Sequence, residues 1–402
     1  MEFLSSFIKG DRVIWRIYIF LFIISMLEVY SATSTLSNSM NEYWAPFVRH
    51  FMFLAVGTGL MIAIHLMPPQ YLKRLVILLP ISVILLILTP LIGVKANEAT
   101  RWISIFGFRF QPSELAKLSV VVTTAFMLSR MKDTEESIDA TFKFLLIVIF
   151  GVCGLIAPDN FSTAGMLGLI AFIMMFIGRI PIMRLLKVAA VILSMVVVLF
   201  LLADYIPKET PLLGRLPTWR ERLFNHSQKI TEKTPLDVVF NDDNYQVSHS
   251  KIAIARGGFL PHMPGSSFER DFLPQAFSDF IYAIIIEELG LVGGFFVLAA
   301  YLILMFRAGI LARRCKRSFY AFLLMGVTMM IVIQAMINMA VAVNLMPVTG
   351  QPLPLISRGG TSVLITCVYF GIILNISRTT IEEDQEEAEK LPKGVTLVNE
   401  KV

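Results

Sequence analysis

Charge is scarce in this sequence. Only 16% of its 402 residues are Asp, Glu, Lys or Arg, while 56% are hydrophobic and the mean hydropathy is +0.71. A soluble globular domain carries about 25% charged and about 45–50% apolar residues. A water-surrounded fold is therefore excluded, and a polytopic membrane protein is indicated. The apolar runs are long and continuous, which excludes a transmembrane barrel of short alternating segments. Cysteine is scarce too. Cys153, Cys315 and Cys367 lie far apart, so no disulfide framework or thiolate metal site follows. The five histidines make no HExxH or other ligand spacing, and a structural metal site is not expected. No internal repeat is visible, which argues against an inverted-repeat transporter. The formal charge of +5 sits mostly in short loops beside apolar runs, where it orients a membrane protein and does not point to nucleic acid.

What is present is a series of ten apolar stretches of roughly bilayer-crossing length. They lie near 13–34, 47–67, 73–94, 112–130, 142–158, 162–179, 185–204, 279–306, 319–343 and 361–377. The expected fold is all-α, a ten-helix membrane domain over 1–377 with a long extracytoplasmic loop at 205–278. The fourth stretch, "PSELAKLSVVVTTAFMLS", is the most polar, and loop charge decides for it. With a cytoplasmic N-terminus, Lys73/Arg74, Arg130/Lys132, Arg179/Arg184/Lys187, the Arg307 to Arg317 cluster and Arg378 share one side only if that span is counted. Both termini are then cytoplasmic. The first span, behind Lys9, Arg12 and Arg16, also has the outline of a signal peptide, although an uncleaved first helix serves a chain with so many later spans. The acidic tail 378–402 lacks aromatics and is expected to be disordered.

Three polar motifs fall on the outer face. In "RWISIFGFRFQPSELAKLSV", Pro112, Ser113 and Glu114 suit a helix first turn. Glu114 and Lys117 share a helix face. They form either a neutralised pair that lets the helix enter the membrane or, with Arg101 and Arg109, a basic mouth for a phosphate or diphosphate. The second motif is "NLMPVTGQPLPLISRGGTS", over 344–362. Its prolines and glycines forbid a helical turn-and-return, so it is either a segment re-entering the bundle or a rigid turn. The third is "FLPQAFSDFIYAIIIEELG". An acid at mid-bilayer costs about 2.5–3.5 kcal/mol. Asp279 stands at the outer start of the eighth span, where Phe277 and Phe280 could desolvate it towards a general base's range. The alternative is an acid placed for the helix dipole. Glu287 falls about 12 Å deeper. Glu287 and Glu288 are therefore expected as buried acids bonded to neighbouring helices, or paired with Arg101 or Lys117.

Together these motifs resemble the SEDS family (shape, elongation, division and sporulation), from the first span to Ser377. Arg101, Trp102 and 111–118 match "RW…QPSELAKL"; 347–350, 353–357 and 359–362 match "PVTG…LPLIS.GG(S/T)S". Leu273, Pro274, 278–281, Ala283 and 287–290 match "LP…(T/S)DFIFA…EELG". Three departures stand out. Phe277-Ser278 replace the usual His-Thr, which leaves the Asp, not the His, as the indispensable group. The usual "PDLGT" is one residue longer over 158–163, which loosens the role of Asp159. Arg358 replaces the common Tyr and adds a cation where an anionic headgroup would lie.

SEDS proteins are peptidoglycan glycosyltransferases. The resemblance implies an inverting lipid II polymerase in the bacterial cytoplasmic membrane, closer to the division members (FtsW) than to the elongation members (RodA). Asp279 is implied as general base. Implied for substrate binding are Arg101, Arg109, Gln111, Ser113, Glu114, Lys117, Pro347, Thr349, Gly350, Ser357, Arg358, Gly359 and Gly360. Asp159, Ser278, Glu287 and Glu288 would support them. No cofactor is built in, although a divalent cation (Mg or Mn) would suit the substrate diphosphate. The implied partners are lipid II, the growing glycan strand, a class B penicillin-binding protein (the transpeptidase) and other divisome proteins. A lipid II transporter and a non-catalytic division scaffold are the rival readings.

Overall fold

The structure, a computed structural model, describes residues 9–38, 44–96, 99–105, 108–202, 242–273 and 276–390. Every one of the ten apolar stretches is helical across most of its length. Helices α1 (Arg12–Asn38) and α2 (Ala45–Leu66) precede a 3-10 turn (Pro69–Ile77) that runs into α3 (Leu78–Ile92). Next come α4 (Pro112–Arg130), α5 (Glu135–Ile156), α6 (Phe161–Ile177) and α7 (Ile182–Leu202). The described elements end with α8 (Asp242–Gly257), α9 (Ile281–Arg314), α10 (Ser318–Ala342) and α11 (Gly360–Lys390). Among the described residues eight helical segments are long and apolar enough to cross a membrane. The chain is a multi-pass membrane protein. Neither α4, which carries Glu114, Lys117 and Arg130, nor the shorter α6 is among the eight.

Local sequence sets several of the starts. Asp11 Oδ1 accepts hydrogen bonds from the N–H groups of Val13 (2.7 Å) and Ile14 (3.3 Å), and Asn160 Oδ1 accepts from Thr163 N (3.1 Å). Short polar side chains at such positions satisfy N–H groups that a helix start leaves open. Helices α10 and α11 form the centre. Val120, Val121 and Val122 of α4 and Leu323, Met330 and Ala335 of α10 are among the buried side chains. Helix α7 lies at the edge, with Val191, Leu193 and Leu201 exposed as lipid-facing side chains are.

Four features depart from the expectation. First, the fold is not all-α throughout: between α3 and α4, β1 (Val94–Ala96), β2 (Ala99–Ile105) and β3 (Phe108–Phe110) form an antiparallel sheet in that order. Second, the long 205–278 loop contains α8, which packs on α9; residues 203–241 lie outside the described part. Third, the tail is helical as far as Lys390, because its acids meet bases at the same end of the bundle. Lys316 Nζ lies 2.6 Å from Glu387, Lys9 Nζ lies 3.4 Å from Glu382, and Arg307 pairs with Asp11 nearby. The expected disorder of 391–402 lies outside the described residues.

The fourth departure concerns the eighth span. Helix α9 breaks at Gly290, whose φ of 68° and ψ of −179° only glycine adopts without strain. The N–H groups of Leu291 and Val292, freed by the break, are taken up by the carbonyls of Gly258 (3.1 Å) and Phe259 (3.4 Å). Residues 281–288 are buried throughout, whereas Leu291, Phe295 and Phe296 are exposed. The part from Leu291 to Arg314 rises about 36 Å, enough to cross alone. The span is thus displaced from 279–306, and 281–289 is a half-helix encased in protein. A Cβ at Gly290 would stand 2.7 Å from the Leu260 carbonyl group. Gly290→Ala should therefore cost about 1–3 kcal/mol, read as a lower melting temperature in detergent. Gly309→Ala, whose Cβ would meet nothing within 4 Å, should not lower it.

Candidate active site around Asp279

Asp279 lies outside the helices, in a turn over 276–280 just before α9. Ala276, Phe280 and Ile281 are buried and hold that turn down by burying apolar surface. The carboxylate itself is half-buried. Ser278 Oγ donates to Asp279 Oδ1 at 2.9 Å. Burial raises the pKa of Asp279 above the ordinary carboxylate value; the Ser278 hydrogen bond and the Arg101 charge pull it back down.

Against this turn lies the 344–360 segment. Its residues 353–357 are buried without helical structure, so it enters the bundle and does not merely turn at its edge. Buried backbone of this kind needs a partner for each polar group, and the helices provide several. Gln334 Nε2 donates to the Pro352 carbonyl (3.0 Å), Tyr301 OH to that of Pro354 (2.5 Å) and Ser25 Oγ to that of Ile356 (3.0 Å). Gln351 Nε2 donates to Thr163 Oγ1 (2.6 Å). The segment also binds the Asp279 turn directly. Ser357 Oγ donates to the Ser278 carbonyl (2.6 Å), and Arg358 N donates to that of Phe277 (2.9 Å). Gly350, with φ at 67°, comes so close that a Cβ on it would stand 3.6 Å from Asp279 Oδ2. Thr349 Oγ1 is buried and has no hydrogen-bond partner among the described residues.

The cations separate. Strand alternation puts Arg101 on the same face of β2 as the buried Ile103, while Arg109 pairs across from the exposed Ser104 and points the other way. Arg101 lines a cleft with Gln111, Ser113, Asp159 and Asn160. Arg109 is exposed, and the expected convergence of Arg101, Arg109 and Lys117 on one mouth does not occur. Lys117 is fully buried, 2.8 Å from Glu114 Oε1 and donating to Gln334 Oε1 at 3.0 Å. Glu114 and Lys117 therefore act through Gln334 on the buried segment, as a neutralised internal pair. Arg358 covers the Phe277 ring at 5.1 Å, and burial followed by the Arg49 charge lowers its pKa. Gly360 begins α11 against the Phe53 ring, with Gly359 and Pro347 half-buried beside the same segment.

Glu287 and Glu288 are buried acids as expected, but apart from Ser31 their partners lie in the loop before α9 and not on neighbouring helices. Glu287 accepts from Ser267 Oγ (2.5 Å) and Phe268 N (3.1 Å), and Glu288 accepts from Ser31 Oγ, Gly265 N (3.0 Å) and Ser267 N (3.2 Å). Neither is bonded to Arg101 or Lys117. Sequence reasoning missed Ser25, Tyr301, Gln334 and Asn338. The last two had a signal: amides four apart in the apolar run "IVIQAMINMAVA" share one helix face and need partners. Among the described residues no group of three or more His, Cys, Asp or Glu could hold a metal ion.

Removing Lys117 would strand Glu114 in the interior. Lys117→Met should cost about 3–5 kcal/mol of stability, whereas Arg109→Gln, at an exposed position, should stay within about 0.5 kcal/mol; thermal unfolding of the two variants checks the assignment.

Known proteins align with this architecture over nearly its whole length. The family model of FtsW/RodA/SpoVE cell cycle proteins matches residues 11–382. A protein of Enterococcus hirae named "Probable peptidoglycan glycosyltransferase FtsW" is 30% identical, covering 95% of this chain and 96% of its own. One of the same name from Pseudomonas fluorescens is 32% identical, over 85% and 81%. A chain from a peptidoglycan synthase complex, solved for its coordination of polymerization and crosslinking, superposes with a TM-score of 0.73 at 21% identity, over 93% of this chain and 99% of its own. The rod shape determining protein RodA of Thermus thermophilus gives 0.64 at 21% identity, over 92% and 97%. The chain belongs to the FtsW/RodA/SpoVE family of cell cycle proteins.

Proposed function

We propose that the chain polymerises lipid II into glycan strands at the outer face of the bacterial cytoplasmic membrane during cell division. The setting of Asp279 carries this reading: a half-buried carboxylate on a turn pinned from two sides, with an arginine charge acting on it. Burial makes the carboxylate a better proton acceptor, while Ser278 and Arg101 help to keep it ionised. In the proposed step Asp279 takes the proton of the acceptor's 4-hydroxyl. The oxygen attacks the donor's anomeric carbon from the face opposite the leaving group. The bond to the lipid diphosphate breaks, the diphosphate leaves with the electron pair, and the configuration inverts. The leaving group needs positive charge, and Arg101 and Arg358 are the chain's candidates for it. A divalent cation (Mg or Mn) would arrive with the diphosphate as part of the substrate.

The names of the FtsW relatives support the activity and the division role. Crosslinking in the related synthase complex supports a class B penicillin-binding protein as partner. One-sided basic loops support ten crossings with both termini cytoplasmic. The transporter reading loses ground because Glu287 and Glu288 are occupied in holding the 265–269 backbone.

The test is polymerisation by purified protein together with its transpeptidase. Asp279→Asn, at equal folded amounts, should lose at least about 10²-fold in rate, the scale of a lost general base. Polymer from Asp279→Asn at the wild-type rate would contradict Asp279 as the base, and no polymer from the wild-type pair would leave the scaffold role in its place.

A further inference from the structure

Asn338 lies in α10, is 1% exposed, and places its side-chain amide between the two halves of the site. Its Nδ2 donates to the carbonyl of Asp279 at 2.9 Å and to that of Gln351 at 2.8 Å. Both partners are carbonyl oxygens, so the orientation of the amide is settled by chemistry: nitrogen must face them. Oδ1 is buried and has no hydrogen-bond partner among the described residues. The side chain therefore acts here as a two-pronged donor.

The carboxylate of Asp279 is bonded to Ser278, its neighbour on the same turn, which fixes it relative to that turn only. Other cross-links join the turn to the far end of the buried segment, at Ser357 and Arg358. Among the described hydrogen bonds, those of Asn338 alone join the Asp279 peptide and the near end, at Gln351, through one atom. We infer that Asn338 is a positioning residue of the proposed polymerase site, setting the spacing between the Asp279 carboxylate and the Thr349–Gly350 wall where the acceptor hydroxyl must lie. The inference rests on the reading of Asp279 given above. It matters because a reacting group misplaced by about 1 Å can cost about 10²-fold in rate without loss of binding.

Asn338→Leu keeps the size of the side chain and removes both donors. Ser25→Ala loosens the same segment at Ile356 without touching the Asp279 turn, and reports the purely structural contribution. Each variant is purified with the transpeptidase, matched for melting temperature, and assayed across lipid II concentrations. Asn338→Leu should lose roughly 10²-fold in kcat with KM within about twofold, and Ser25→Ala, which leaves the Asp279 peptide bonded, should lose less than about tenfold. If Asn338→Leu fails to fold, Asn338→Asp is used. Its carboxyl repels both carbonyls when ionised and regains one donor when protonated, so its rate relative to wild type should rise as the pH falls. The charged groups on this side are Asp279, the Arg101 that acts on it, and the Glu114–Lys117 pair bonded to Gln334 one turn away, all of which both proteins share. Equal kcat losses in Asn338→Leu and Ser25→Ala, or a pH-independent ratio for Asn338→Asp, would overturn the inference. If Asp279→Asn is inactive while Asn338→Leu turns over normally, positioning fails and the proposed function stands. If Asp279→Asn is fully active, the assignment of Asp279 as base, on which the inference rests, has failed.

Discussion

A stretch of buried backbone with no secondary structure is the constraint on which the rest of this fold turns. Residues 351–357 pass between helices with their carbonyls cut off from water, and each unmet one would cost about 1–3 kcal/mol. Gln334, Tyr301 and Ser25 meet them from three different helices, while Gln351 ties the segment to a fourth through Thr163. The segment can therefore sit only where those side chains converge. Because Ser357 and Arg358 also bond the 277–278 carbonyls, the same convergence fixes Asp279. Position of the acid is thus an outcome of backbone satisfaction elsewhere.

Charge is used sparingly and mostly as internal bracing. Glu114 and Lys117 neutralise each other inside the bundle and pass a hydrogen bond on to Gln334, hence to Pro352. Glu287 and Glu288 are spared the cost of an acid in hydrocarbon because the helix breaks two residues later. Their oxygens then collect the N–H and O–H groups of 265–269. At the opposite end, Asp11 both starts α1 and pairs with Arg307. Arg101 and Arg358 are the cations left near the Asp279 turn, one acting on its carboxylate and the other stacked on Phe277.

The helices were legible because long apolar runs admit little else, and re-entry of the 344–360 segment was one of the two readings its prolines and glycines allowed. The proximity of Asp279, Gly350, Ser357 and Arg358 was carried by the motifs. Other features depend on partners distant in the chain and could not be read locally. Arg109 is grouped with Arg101 by sequence, yet strand alternation separates them, and the pairing of Ser104 with Arg109 that sets it is not visible in a loop between two apolar runs. For Lys117 the sequence admits a neutralised pair with Glu114 or a phosphate ligand, and only Gln334, 217 residues on, decides for the pair. The break at Gly290 depends on carbonyls of Gly258 and Phe259, which a hydrophobicity plot cannot supply.

The most direct test of Asp279 as the base is the pH dependence of kcat for lipid II polymerisation. A base works only when deprotonated, so the rate should fall as pH drops through its pKa. Burial places that limb above the ordinary carboxylate range of about 4. Replacing Arg101 with Gln removes a positive charge that favours the carboxylate, and the limb should move to higher pH. An acid limb that stays in place when Arg101 is neutralised, or that is missing from the wild type altogether, would contradict the account.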